Sequence, residues 1–222
     1  MEMFLYVMKF VAIGTVSMTV PMMTIALLYK IKVHKGLIST LFATVAGVFS
    51  AYFWFFLEKG AIGGISFFGA VFIEPIAFLL LAQILKEDYY DLIDMFAPGI
   101  CMMLVVMKIQ CYLSGCCGGR VISLSTGLEF VFPSQLAECI NAAMLMVIIL
   151  IISFTKKFRG KLYPLYLIMY GITRFILNFF RQEFASNTDL IPPLGSIWSI
   201  VAIIIGFTWL YRFKKSHKNM IT

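Results

Sequence analysis

Charge is scarce in this chain. Of its 222 residues, 13% are Asp, Glu, Lys or Arg and 61% are hydrophobic, where a soluble domain carries about a quarter charged residues. That shortage excludes a soluble domain, and nothing is left over for one once the apolar runs are counted. Histidine is scarcer still: the two present, His34 and His217, lie among basic residues outside the apolar runs and read as solvated. Cysteine is odd in number, and Cys101, Cys111, Cys116, Cys117 and Cys139 lie in or at the edges of apolar runs, so a spaced disulfide framework is excluded. Cys111, Cys116 and Cys117 have no nearby histidine and no C-x-x-C pair, which disfavours zinc; no metal or cofactor is expected. No linker, low-complexity tract or internal repeat breaks the chain, so one membrane domain over residues 1–222 is expected. Acidic residues number 11 against 18 basic ones, a net charge of +7. That excess does not point to nucleic acid, because the basic residues cluster between apolar runs, as membrane topology requires.

What is abundant is hydrocarbon. About 20 apolar residues cross a bilayer as a helix, and seven runs qualify: 4–29, 37–57, 63–85, 94–114, 134–155, 162–180 and 195–212. They show no alternation, which argues against a barrel, and open strand edges cannot be satisfied in lipid. The first run carries only Lys9, is too long for a signal-peptide core and reads as a retained span. The expectation is an all-α integral membrane protein of seven transmembrane helices. Lys30, Lys32, Lys35, Lys86, Lys156, Lys157, Arg159, Lys161, Arg212, Lys214, Lys215 and Lys218 fall on one side, against Lys9, Lys59, Arg120 and Arg181 on the other. The excess of basic residues marks the inside, placing the N-terminus outside and the C-terminus in the cytoplasm. Glu87, Asp88, Asp91 and Asp94 make the third connection acidic for an inside loop, but acidic residues weigh little in this rule.

Four ionisable residues stand inside the runs: Glu74, Lys108, Glu138 and Arg174. Each costs a few kcal/mol or more near mid-bilayer unless it meets a partner or a polar cavity. They could form buried ion pairs that set helix register. Alternatively, they could form an anion site: Arg174 and Arg181 are two helical turns apart, Tyr170 is one turn before Arg174, and Lys108 and Arg120 add two more cations. Guanidinium groups hold phosphate with a two-pronged fork, and a phospholipid headgroup is the anion most available there. Glycines cluster at Gly60, Gly63, Gly64 and Gly69, and again at Gly115, Gly118 and Gly119, where backbone can approach closely or turn.

Several blocks then match one family in order. "GGISFFGA" (63–70) is similar to G-G-x-S-F-H-G-G, and "LIDMFAP" (92–98) to D-x-x-A-P. "KIQCYLSGCCGGR" (108–120) resembles R-x-G-N-F-x-N-G-E-x-x-G-R, and more closely a G-C-C-x-G variant. "FPSQLAE" (132–138) resembles H-P-S-Q-L-Y-E, and "YGITRFILNFFRQE" (170–183) resembles Y-G-x-x-R-x-x-x-E-x-x-R. The chain thus resembles a divergent member of the prolipoprotein diacylglyceryl transferase family, from about residue 60 to 212. The pattern departs at Phe68 (histidine), Lys108 (arginine), Asn178 (glutamate) and Ala137 (tyrosine), and the segment after span four is short, 121–132.

The resemblance implies transfer of diacylglyceryl from phosphatidylglycerol, or a related anionic phospholipid, to a thiol on a cysteine-bearing peptide or lipoprotein precursor. It implies a multi-pass protein of the bacterial cell membrane. Arg174, Arg181, Lys108, Tyr170 and Glu138 are the expected catalytic residues; Arg120, Ser66, Gly64, Gly115, Gly119, Ser134 and Gln135 are the expected phospholipid contacts. Cys116 and Cys117 are possible reactive thiols, although small apolar packing in a tight turn is the plainer reading. The alternatives are a phospholipid-binding protein without catalysis, a related transferase with another acceptor, and a thiol oxidoreductase built on Cys116 and Cys117.

Overall fold

The computed structural model describes residues 2–62, 64–116, 118–123, 129–181 and 194–219; side chains are not described for 2–7, 10 and 214–219. Seven α-helices lie among these residues: α1 Glu2–Leu28, α2 Val33–Lys59, α3 Phe67–Leu85, α4 Tyr89–Leu113, α5 Ser134–Ser153, α6 Leu162–Asn178 and α7 Leu194–Asn219. They coincide with the seven apolar runs. Six are long and apolar enough to cross a membrane; α6, with 17 residues, is the short one. The chain is a helical, integral membrane protein.

One boundary moved for a physical reason. The carboxylate of Asp88 accepts hydrogen bonds from the backbone N–H groups of Tyr90 (2.8 Å) and Asp91 (3.2 Å), so Asp88 is an N-cap and α4 begins at Tyr89, ahead of the apolar run that starts at 94. The short segment 121–132 carries a two-stranded antiparallel ribbon, β1 Val121–Ser123 with β2 Glu129–Val131, in the register Val121↔Val131.

The chain divides into two compact units. The first takes Met1–Met103 and Met146–Tyr163. Its helix α2 buries small residues, Gly36, Thr40, Ala43, Thr44 and Ala51, where α1 and α3 pack against it. Its other face exposes Leu37, Leu41, Val45, Phe49, Phe53 and Leu57. These recur every four residues and make a stripe of large apolar groups facing outward, the inverse of a soluble helix.

Pro75 inside α3 removes the N–H that would bond the carbonyl of Val71, four residues earlier. The buried Tyr163 hydroxyl donates to that carbonyl at 2.6 Å, so the break is repaired from another element.

The connections of this unit are tied by charge. Arg159 forms a fork on Asp91, with Nε to Oδ1 at 2.7 Å and Nη2 to Oδ2 at 2.5 Å, and lies over the Tyr29 ring. Asp94 accepts from the backbone N–H groups of Gly160, Leu162 (2.8 Å) and Tyr163 (3.4 Å) and from the Tyr29 hydroxyl (3.0 Å), capping the start of α6. Lys35 meets Glu87 and the carbonyl of Leu85, both at 2.6 Å. The acidic residues at the third connection and the start of α4 therefore hold both the first and the fifth connections. Glu74 is buried in the same unit beside Gly47 and forms no ion pair among the described residues.

The second unit takes Leu104–Leu145 and Pro164–Thr222. It contains the C-terminal part of α4, the ribbon, the first part of α5, nearly all of α6, and α7.

Candidate functional site: a buried carboxylate ringed by three cations

The site is assembled in the second unit by the way α4 ends. Gly115 adopts φ +68°, its N–H bonds the Tyr112 carbonyl (3.2 Å), and the Cys116 N–H bonds the Cys111 carbonyl (3.1 Å). This is a Schellman cap, which needs a left-handed residue; Gly115 turns the chain out of the helix.

The turn that follows is sewn down by backbone. Gln135 donates its side-chain amide to the Cys116 carbonyl at 2.7 Å. Gly119 pairs with Arg181 as an isolated bridge, the Arg120 N–H bonds the Phe180 carbonyl (3.0 Å), and the Phe132 N–H bonds the Arg120 carbonyl (3.0 Å). Gly119 sits directly on the Phe132 carbonyl, where any side chain would overlap it. The segment after α6 is thereby fixed against the approach to α5, and Arg181 is brought to the first turns of that helix.

Four charged side chains converge there. Glu138 of α5 receives Lys108 of α4 (Nζ to Oε2, 2.7 Å), Arg174 of α6 (Nη1 to Oε2) and Arg181 (Nη1 to Oε1, 3.3 Å). Side-chain exposure is 4% for Glu138 and 10%, 13% and 11% for Lys108, Arg174 and Arg181, so bulk salt screens these charges little. Among the described residues, three cations thus share this one carboxylate. Cations held away from water by a shared carboxylate can also receive the oxygens of a phosphate. The helices are held in place beside the cluster by Asn141, whose amide donates to the Thr173 hydroxyl at 3.0 Å.

Of the sequence candidates, Lys108, Glu138, Arg174 and Arg181 are brought into direct contact. Tyr170 is buried one turn before Arg174, stacked on Tyr166 with ring centroids 5.4 Å apart. Ser134 is buried at the first residue of α5. Arg120 directs its guanidinium over the Phe180 ring, 5.7 Å from the centroid. Cys116 is exposed and accepts a hydrogen bond from the Ser114 hydroxyl at 3.5 Å; Cys117 lies outside the described residues.

Ser66 and Gly64 belong to the first unit. The Ser66 N–H bonds the Ala51 carbonyl just before α3, and Gly64 lies against the Phe55 ring. Two positions that depart from the family pattern have packing roles. Phe68 is buried and stacks on Phe72, which meets Trp54 in turn. Asn178 is buried and donates to the Ser196 hydroxyl of α7 at 3.3 Å.

Sequence reasoning did not single out Asn141 or Thr173. The signal was present: Gln135, Glu138 and Asn141 recur every three residues in an otherwise apolar run, a polar stripe along one side of a helix.

The family model of prolipoprotein diacylglyceryl transferase matches residues 6–212. Among similar curated proteins, one named phosphatidylglycerol–prolipoprotein diacylglyceryl transferase from Francisella tularensis subsp. mediasiatica is 30% identical over 169 residues, covering 71% of this chain and 63% of the relative. One of the same name from Campylobacter hominis is 30% identical over 165 residues, covering 71% and 59%. Another from Clostridium tetani is 27% identical over 165 residues, covering 68% and 66%. The chain thus spans about three-fifths of the length of the first two. A match running almost from end to end leaves one assignment: the chain belongs to the prolipoprotein diacylglyceryl transferase family.

Proposed function

We propose that this protein moves a diacylglyceryl group from phosphatidylglycerol, or a related anionic phospholipid, to the thiol of a cysteine-bearing peptide or lipoprotein precursor. It does so in the bacterial cell membrane, crossing it seven times with the N-terminus outside and the C-terminus in the cytoplasm. At 17 residues, α6 is about 26 Å long, close to the hydrocarbon thickness of a bilayer. The observation that carries the functional reading is the buried cluster of Lys108, Arg174 and Arg181 around the Glu138 carboxylate.

In this reading the thiolate sulfur attacks the glyceryl carbon that bears the phosphate. The carbon–sulfur bond forms and the carbon–oxygen bond breaks, its electron pair leaving with the phosphate oxygen as glycerol phosphate. Charge on that phosphate grows as the bond breaks, and cations preorganised in a dry site stabilise it most at that moment. The thiol must lose its proton, and the thiolate is the nucleophile. Phe68 offers no base, and both oxygens of Glu138 are engaged by cations. In this reading the nearby cations Lys108, Arg174 and Arg181 favour the thiolate itself, and the proton leaves to solvent.

A second reading is favoured by two positions. Phe68 and Asn178 fill with packing and amide contacts the places where the family pattern has a histidine and a glutamate. This supports a protein that binds phospholipid without turnover. Purified protein in lipid nanodiscs, given phosphatidylglycerol and a cysteine peptide, separates the two. Thioether product with equimolar glycerol phosphate is expected; lipid binding that Arg174→Ala weakens, with no product, would establish the second reading instead.

A further inference from the structure

The carboxylate that gathers the cations is bracketed along α5. Gln135, Glu138 and Asn141 stand three residues apart, each about one turn from the next along one side of the helix. Gln135 ties α5 to the turn that ends α4, through the Cys116 carbonyl at 2.7 Å. Asn141 ties it to α6, through the Thr173 hydroxyl at 3.0 Å. The residue after Thr173 is Arg174, whose Nη1 meets Glu138. A neutral hydrogen bond and an ion pair thus join α5 to α6 side by side.

The two contacts differ in what they can fix. An arginine side chain is long and rich in rotamers, so it can follow a carboxylate that shifts. Asn and Thr are short, and Thr is stiff at χ1, so their bond sets both the height and the rotation of one helix on the other. The Thr173 hydroxyl has a single proton, which it donates back into its own helix, toward the carbonyls of Met169 (3.0 Å) and Tyr170 (3.2 Å). Its lone pairs are left to accept from Asn141, which settles the direction of the bond. Asn141 is buried, so water competes little for its amide.

Resting on the proposed transfer reaction, we infer that the bond between Asn141 and Thr173 is a positioning device for Arg174. It places the guanidinium where charge grows on the departing phosphate, and neither side chain touches the reacting atoms itself. Hydrogen bonds between helices in a membrane add little to stability, whereas a misplacement of about 1 Å at a reacting centre can cost about a hundredfold in rate. The bond therefore matters far more to turnover than to folding.

The test is steady-state transfer by the full chain in nanodiscs, with phosphatidylglycerol and a cysteine peptide, alongside thermal unfolding in detergent. Wild type is compared with Asn141→Leu, Thr173→Val, their double variant and Thr173→Ser. Leu and Val keep the shapes and remove the bond; Ser keeps the hydroxyl. Asn141→Leu and Thr173→Val are each expected to unfold near the wild-type temperature. Each is expected to lower kcat by about tenfold or more with KM for phosphatidylglycerol within about twofold, because a displaced cation loses more of the transition state than of the bound lipid. The double variant should match the worse single, since the same bond is lost in both. Thr173→Ser should keep kcat within about twofold of wild type.

Wild-type kcat in folded Asn141→Leu and Thr173→Val, losses that multiply in the double variant, or a Thr173→Ser as impaired as Thr173→Val would each overturn the inference. If wild type forms no thioether, the transfer reading falls by itself, and the same variants are read by glycerol phosphate binding in nanodiscs of neutral lipid. Weakening by about threefold or more in Asn141→Leu and Thr173→Val but not in Thr173→Ser then supports the placing of Arg174 by this bond. Equal binding by all of them, or by none, overturns it.

Discussion

Among the described residues, each compact unit holds a charged cluster, and the two are built differently. In the first, Asp91 and Asp94 meet one guanidinium, three backbone N–H groups and a tyrosine hydroxyl. Every partner is a neutral donor or a single opposite charge, and the Arg159 side chain is 51% exposed. In the second, one carboxylate faces three cations, none more than 13% exposed. The first is satisfied as it stands, and its product is geometry: it caps α6 and ties the connections together. The second draws three buried side-chain cations from separate segments onto one carboxylate, and in the proposed reading it receives a phosphate. Both draw on acidic and basic residues in a membrane protein, and the burial of the cations and the kind of donor tell them apart.

That contrast can be broken most forcefully at Arg174. Arg174→Ala removes a cation from the cluster, and thioether formation in nanodiscs is expected to fall by about a hundredfold or more while the protein still folds. An equal loss in thermal stability and no specific loss in turnover would make the second cluster structural like the first. Asp94→Ala is the mirror experiment. It strands three buried backbone donors and a hydroxyl, so unfolding in detergent should show a loss of about 2–4 kcal/mol. Phosphate affinity of the folded fraction should stay within about twofold, a shift of well under 1 kcal/mol. Tyr163→Phe leaves the Val71 carbonyl opposite Pro75 without its donor, and the same measurement should give about 1–3 kcal/mol. The smallest effect belongs to Arg159→Ala. The guanidinium is half in water, so about 1 kcal/mol or less of stability is expected, with no change in anion binding.

Much of this was legible in the residues. The seven helices follow from apolar runs of membrane length, and Lys108, Glu138 and Arg174 drew notice because charge inside such a run is expensive. What the runs could not say is which charge meets which. Glu74 and Glu138 are equivalent in sequence, yet Glu138 meets all three cations and Glu74 none among the described residues. The pairing depends on contacts between helices distant along the chain, which local spacing does not encode. Asp91 and Arg159 are 68 residues apart, and for that reason the acidic third connection looked anomalous rather than structural. The ribbon at 121–131 was hidden by its brevity: two three-residue strands leave no periodic signal. Gly115 and Gly119 were noticed together but serve different ends, one turning a helix and the other admitting the Phe132 carbonyl.

The most direct measurement compares glycerol phosphate binding by wild type, Arg174→Ala and Arg159→Ala under one condition of low salt in neutral nanodiscs. If the buried cations around Glu138 mark the functional cluster, Arg174→Ala loses binding by about tenfold or more while Arg159→Ala binds as wild type does. Equal losses in both variants, or none in either, would contradict the assignment of anion binding to the cations around Glu138.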